Sequence, residues 1–308
     1  MVSIMAAEKL MSMSEAVRKF VHDRDTLYMA GFTHLIPHSA GHEIIRQKLR
    51  DLTLCRPTPD LVFDQMIADG CARKVVFSWA GNPGVGPLRA FRRAVEQGYP
   101  NRIEIEEYSH FAMISAISAG AMHLPFLPLR SLRGSDLPKH NSNIKVVKSP
   151  YGEEEIAVVP PLNPDVAIVH AQRADMDGNV HMWGITGDHK EAAFAAKKVI
   201  VSVEEIVDEH AIRSDPNRTL IPDFLVDALV EEPWGAHPSY AQGYYDRDNK
   251  FYIEWDKISR EAASLEKYLE EWVYGVENRA QYVEKFGGEL MKLKPKNLYS
   301  AVANYGLY

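Results

Sequence analysis

Leu27-Tyr28-Met29-Ala30-Gly31-Phe32-Thr33-His34-Leu35-Ile36-Pro37 is the stretch on which the fold turns. A short apolar run stops at a glycine, a polar loop follows, and a proline then opens a helix. The run predicts a strand over 27–30. The residues after Pro37 predict a helix over 38–49, with Ile44, Ile45 and Leu49 at helical spacing. Strand, glycine-bearing loop and helix together make the opening of a βαβ unit. In open α/β sheets ligands sit at the carboxyl ends of strands. Gly31 has no Cβ, so its backbone can approach a ligand closely and present a bare N–H. The alternative is that Gly31 only eases a tight strand-to-helix turn.

Outward from this stretch the alternation continues. Upstream, Ser14 reads as an N-cap, with Ala16, Val17, Phe20 and Val21 on one helical face. Downstream come a short strand over 52–54 and a helix opened by Asp60 that carries Leu61, Phe63, Met66 and Ile67. A strand over 74–79, a helix over 87–97, a strand over 102–105 and a helix from about Ser109 to Ala121 follow. Strands separated by helices of this length predict βαβ units and a mostly parallel sheet. Residues 124–159 are irregular and rich in Pro, Gly and Ser, and read as a long loop or an excursion at the sheet rim. Flat apolar runs at 166–169 and 198–203 suit strands buried on both faces. From Trp255 to about Phe286, charged and apolar residues recur at helical spacing. The expectation is one α/β domain over 1–308 with a C-terminal helical extension from about 255.

Bulk properties narrow the function. The 308-residue chain is 46% hydrophobic and 25% charged, which excludes a mostly disordered polypeptide. A formal charge of −7 argues against a nucleic-acid binder, while leaving room for a local basic patch on a phosphate-bearing ligand. The cysteines, Cys55 and Cys71, build no disulfide framework and fit a reducing, cytoplasmic setting. Met1 to Lys9 does not read as a signal peptide, and no apolar run is long enough for a transmembrane helix.

Several motifs bear on chemistry. There is no G-x-S-x-G elbow and no P-loop. His42-Glu43 begins like a zinc helix, but Arg46 stands where the second histidine belongs. Gly81-Asn82-Pro83-Gly84-Val85-Gly86 lies between a strand and a helix. Its N–H groups either cradle an anion or form a plain Asn-Pro-Gly turn. Arg89, Arg92 and Arg93 on the next helix are phosphate contacts or a solvated face. The run Glu104-Ile105-Glu106-Glu107-Tyr108-Ser109-His110 leaves a strand for a helix. Carboxylates there serve as nucleophile or base, or complement the helix N-terminus. Glu104 and Glu106 read as structural, whereas Glu107, Ser109 and His110 lie near the turn and stay as site candidates. His170, His181 and His189 with Asp175, Asp177 and Asp188 fit no compact metal-ligand spacing, and Asp177-Gly178-Asn179 is a hairpin-turn signal.

Taken together, these segments resemble a family I CoA transferase, specifically the A (α) subunit of the glutaconate CoA-transferase type. The family's aliphatic run, Gly-Gly-Phe and following proline read here as Leu27 to Phe32 with Pro37, Ala30 replacing the first glycine. The resemblance continues through 124–128, 165–172, 177–179, 203–206, 212–216, 235–239 and 243–249, in order along nearly the whole chain.

The resemblance implies a Rossmann-like open sheet with helices on both faces, and an obligate A/B assembly, α2β2 or larger. It implies an acyl-CoA and a small carboxylate as substrates, coenzyme A as thioester and not as a tightly bound cofactor, and no nucleic-acid or membrane partner. The implied reaction is ping-pong transfer of CoA through an acyl-enzyme anhydride and an enzyme–CoA thioester on a glutamate. That glutamate belongs to the B subunit, in a Ser-Glu-Asn-Gly-like segment. Ser202-Val203-Glu204-Glu205 does not fit that segment. The chain then reads as half an enzyme, with Gly31, Phe32, Thr33, Asn82 and Gly84 lining the site beside Ser109 and His110. Two rivals stand beside this reading. One is a CoA-thioester hydrolase or decarboxylase on the same scaffold using Glu107; the other is a non-catalytic CoA-thioester-binding partner.

Overall fold

The computed structural model describes residues 9–295. The expectation about the leading nine residues therefore lies outside the described residues for all but Lys9, as does the end of the helical extension.

The main sheet has nine strands. β1 (Thr26–Met29), β2 (Leu52–Cys55), β3 (Ala72–Phe77) and β4 (Glu104–Glu107) lie side by side and parallel. On the other side of β1 run β8 (Val166–Ala174), β10 (Lys198–Ile206) and β12 (Ala228–Glu231), also parallel. The chain thus winds outward in both directions from the β1/β8 pair, which makes that boundary the switch point of the sheet. β9 (Val180–His181) folds back antiparallel on the end of β8, and β11 (Thr219–Ile221) pairs with β9. The Asp177-Gly178-Asn179 hairpin lies between β8 and β9, where its sequence predicts it.

Alternation along each strand fills two cores. Leu27, Met29, Leu54, Val75 and Phe77 face one, packed against helices Met13–Phe20, His38–Arg46, Leu61–Ala68 and Arg89–Glu96. Tyr28, Ala30, Cys55 and Val76 face the other, under helices His110–Ala121 and His189–Ala195. The flat apolar runs of β8 and β10 are buried on both faces, as a parallel sheet requires. The C-terminal helices Asn249–Ile258 and Ala262–Leu269 send Trp255, Leu265 and Tyr268 into the first core.

Three expectations are corrected. The first helix is capped by Ser12, not Ser14: Ser12 and Glu15 form a reciprocal capping box, two residues upstream of the predicted start. Residues 124–159 are not merely a loop. They hold β5 (Leu127–Leu129), β6 (Lys145–Lys148) and β7 (Glu155–Val159), a separate antiparallel sheet in the order β5-β7-β6. β4 begins at Glu104 instead of Arg102, and its charged side chains occupy an edge, where they discourage further strand pairing.

Beyond the end of β12, burial pushes the Glu232 carboxyl up to about 7, reinforced by Glu43 and Glu204 and opposed by Arg279 and Arg46. A raised folded pKa contributes stability that is whole below the unfolded value of 4.5 and is lost as pH rises through about 7. Glu232→Gln is therefore expected to leave the melting temperature unchanged in acid. Above neutrality it should add at most about 3 kcal/mol. Parallel melting-temperature curves for the two proteins across that range would contradict the assignment.

Candidate functional site

A cavity of about 290 Å³ opens at the carboxyl edge of the sheet. Each wall comes from the loop after one strand: Phe32 and Thr33 after β1, Arg56, Thr58 and Asp60 after β2, Trp79, Pro83 and Gly84 after β3, and His110 after β4.

The β1 loop is a fixed structure. Gly31 has φ +133°, and Thr33 and Leu35 have φ of +56° and +53°. Left-handed backbone at a β-branched residue is costly and persists only where the surroundings impose it. The restraints are visible. Ser239 Oγ donates to the Thr33 carbonyl at 2.7 Å, and Leu35 N–H donates to the Tyr240 carbonyl at 2.9 Å. His34 donates from Nδ1 to the Ile185 carbonyl at 2.8 Å and accepts at Nε2 from Gln242 N–H at 3.1 Å. That pairing defines a neutral ring, and burial pushes its pKa down to about 3. A Cβ on Gly31 would stand 3.0 Å from Ile36 Cγ1 and 3.1 Å from the His34 carbonyl oxygen.

The reading of Gly31 as a free donor is corrected. Its N–H donates to Asp188 Oδ1 at 3.2 Å, and the same carboxylate accepts from the Tyr28 hydroxyl at 2.5 Å. Asp188 thus ties the end of β1 to the start of helix His189–Ala195. The next two N–H groups, of Phe32 and Thr33, find no backbone carbonyl among the described residues. The glycine shapes the loop, and its neighbours face the opening.

At the mouth, Phe32 is 42% exposed and meets His110 edge-on at 6.4 Å between ring centroids. Trp79 is 45% exposed and lies across Gly81, where an added Cβ would fall 2.5 Å from the indole. The Ser78 hydroxyl donates to the Pro57 carbonyl at 2.6 Å and so accepts from His110 Nδ1 at 3.0 Å.

The remaining candidates separate. Gly84 reaches the cavity, but Asn82 is buried beneath it: Nδ2 donates to the Tyr252 carbonyl at 2.7 Å, and the N–H donates to the Gly86 carbonyl at 2.8 Å. The Val85 and Gly86 N–H groups return to the Asn82 carbonyl, so the segment is a closed turn and not an anion cradle. Ser109 is the N-cap of helix His110–Ala121, its hydroxyl accepting from Ala112 N–H. Glu107 is exposed on the edge strand and is not among the cavity-lining residues; its carbonyl accepts from Asn141 Nδ2 at 2.9 Å. Arg89 pairs with Asp256 and Arg92 with Glu96, while Arg93 donates to the Ser259 and Arg260 carbonyls. These arginines fasten their helix and do not reach the cavity.

The histidines downstream serve other ends. His170 lies between Ser202 Oγ at 2.8 Å and Glu204 Oε1 at 2.7 Å, a serine–histidine–carboxylate row sealed inside the protein. Asp175 accepts from Gly178 and Asn179 N–H in the hairpin, and His181 meets the Ile212 carbonyl. Among the described residues no three His, Cys, Asp or Glu side chains group to hold a metal ion, and no helix is long and apolar enough to cross a membrane.

Sequence reasoning missed Arg56, Thr58, Asp60 and Trp79. The available signal was Arg56-Pro57-Thr58-Pro59-Asp60, a charged segment directly after the strand that neighbours β1.

Known proteins share this architecture. The family profile described as coenzyme A transferase matches residues 10–232. The A chain of the 3-oxoadipate CoA-transferase of Pseudomonas knackmussii is 50% identical over 277 residues, spanning 90% of this chain and 98% of that one. The crystal structure of glutaconate coenzyme A-transferase from Acidaminococcus fermentans superposes with a TM-score of 0.89 at 34% identity, over 93% of this chain and 96% of that one. A variant of the decarboxylase AibA/AibB superposes with a TM-score of 0.74 at 31% identity, over 85% of this chain and 98% of that one.

Proposed function

This chain belongs to the coenzyme A transferase family, and on that premise we propose that it is the A chain of a two-chain enzyme that moves coenzyme A from an acyl-CoA to a free carboxylate. One observation carries the division of labour: the cavity holds donors but no accessible carboxylate to act as the nucleophile. Its carboxylate, Asp60, is fully buried and paired with Arg56, and no cysteine or serine lines it among the described residues.

The partner B chain supplies a glutamate. Its carboxylate attacks the thioester carbonyl, expels CoA thiolate and leaves an acyl–glutamyl anhydride. The thiolate then attacks the glutamyl carbonyl, releasing the donor acid and forming a glutamyl–CoA thioester, from which the acceptor carboxylate collects CoA by the reverse steps. Each step passes through an oxyanion. The Phe32 and Thr33 N–H groups, on a loop held from behind, stabilise that charge without reorganising. Phe32, Trp79 and His110 form a rim that the partner covers, drying the reaction.

The chain purified alone is expected to show no CoA transfer, and the co-purified complex to show ping-pong kinetics. With acyl-CoA and no acceptor, hydroxylamine or borohydride should trap a CoA thioester on the partner chain. Turnover by the isolated chain would overturn the proposal. So would loss of activity on Glu107→Ala in an intact complex, which would move the chemistry to this chain and to the hydrolase or decarboxylase reading that the AibA/AibB likeness keeps in view.

A further inference from the structure

Two walls of the cavity are held by one segment. Ser239, fully buried, donates from Oγ to the Thr33 carbonyl at 2.7 Å, and the Tyr240 carbonyl accepts from Leu35 N–H. Further along the same segment Arg247, also buried, donates from Nη2 to the Pro83 carbonyl at 2.7 Å. Thr33 and Pro83 both line the cavity. Their loops follow β1 and β3, which are not neighbours: β2 lies between them, so about 10 Å of sheet separates the two strands. Among the described residues no hydrogen bond joins loop 31–36 to turn 82–86 directly. The link runs through 239–247, and that segment is itself braced. Arg279 donates to the Trp234 and His237 carbonyls just before it. Ala241 and Tyr245 exchange backbone hydrogen bonds in a closed turn, and the Tyr245 hydroxyl donates to Glu204. Arg247 Nη1 donates to Asn249 Oδ1, and its guanidinium lies 3.8 Å from the centroid of the Tyr252 ring.

We propose that Ser239–Arg247 is a strap that fixes the spacing of these two walls, with Ser239 and Arg247 as positioning residues for CoA transfer. The inference rests on the reading above, in which the Phe32 and Thr33 N–H groups meet the oxyanion. Thr33 holds φ +56°, a left-handed backbone that a β-branched residue keeps only under restraint. The Ser239 hydroxyl fixes the peptide plane that leaves Thr33. Without that bond the Thr33 dihedrals relax, and the plane that enters Thr33 and carries its N–H turns with them. Arg247 works at the other end. It ties the strap to the β3 turn, so the hold of Ser239 on Thr33 is referred to a fixed wall and not to a free loop. Neither side chain is among the cavity-lining residues, and both act through the backbone they hold.

The test uses the co-purified two-chain complex and reads steady-state kinetics and amide exchange together. Ser239→Ala and Arg247→Met are each expected to lower kcat roughly tenfold, less than the outright loss of an oxyanion donor, with KM held within about threefold. The double variant should match the slower single variant, because cutting either end of the strap cuts the whole of it. Hydrogen–deuterium exchange supplies a readout that a local structural role would not move. Ser239→Ala should speed exchange in 82–86 and Arg247→Met in 31–36, in each case the wall at the far end of the strap from the substitution. Should Arg247→Met fail to assemble, Arg247→Lys, which keeps the charge but loses the planar fork, takes its place. Faster exchange confined to the near wall, or losses in kcat that multiply in the double variant, overturn the strap. Exchange that spreads to both walls while kcat stays level keeps the strap and overturns the placement of the oxyanion at the Phe32 and Thr33 N–H groups instead.

Discussion

Gly31→Val is expected to reduce CoA transfer by the assembled complex roughly a hundredfold to a thousandfold, the cost of losing well-placed oxyanion donors. The backbone at this position has φ +133°, which side-chain-bearing residues rarely adopt. A valine would also press on Ile36 and on the His34 carbonyl. Relief comes by rotating the loop, which displaces the Phe32 and Thr33 N–H groups proposed to stabilise the oxyanion. The strain amounts to about 1–3 kcal/mol, within the margin of a stable domain, so the fold and the complex survive it. Steady-state kinetics at saturating substrate, alongside size-exclusion chromatography of the complex, separates the two effects. Retained turnover would reduce the loop to a mere turn.

Glu204→Ala should instead have its main effect on stability. Glu204 Oε1 accepts from His170 Nε2 at 2.7 Å and from the Tyr245 hydroxyl at 2.5 Å, while Oε2 accepts from Trp234 N–H at 2.8 Å. Its removal leaves three buried donors without a partner. Breaking such a network is expected to destabilise the protein by about 3–5 kcal/mol. For a chain of this length that lowers the melting temperature by roughly 10 °C. Differential scanning calorimetry of the purified complex reads the loss. The row of serine, histidine and carboxylate has the composition of a hydrolytic triad, but His170 and Ser202 are both fully buried. Activity per folded complex should therefore stay level. A fall in that specific activity with unchanged melting would mean that the row takes part in the reaction.

The sequence made the parallel sheet and its active edge legible, for a physical reason. Strands buried on both faces must be apolar throughout, and Leu27–Ala30, Val166–Val169 and Lys198–Val203 announce that without help from the rest of the chain. The small antiparallel sheet gave no such signal: β6 is exposed at every residue and β5 contains a proline, so neither alternation nor an apolar run marks them. At the site, Phe32, Thr33, Gly84 and His110 converge as their positions after successive strands imply. Asn82 and Ser109 resemble ligand-binding residues in sequence, but the Asn82 backbone closes a turn and its Nδ2 reaches the Tyr252 carbonyl, while the Ser109 hydroxyl caps a helix. Asp60 reads as the opening of a helix, and Arg56, beside two prolines, carries no signal of its own. Their chemical interest arises only when packing removes water from them, which is a property of the folded molecule.

The four walls of the cavity follow four neighbouring parallel strands, β1 to β4, so each wall is carried by a different segment of the chain. On the proposed division of labour, with the nucleophile on another polypeptide, a substitution in this chain's walls, at Trp79 for instance, alters the cavity while the reactive residue is untouched. Selectivity and reactivity would then sit on separate chains, and exchanging A chains among related complexes would change the acyl groups accepted while leaving the chemistry intact.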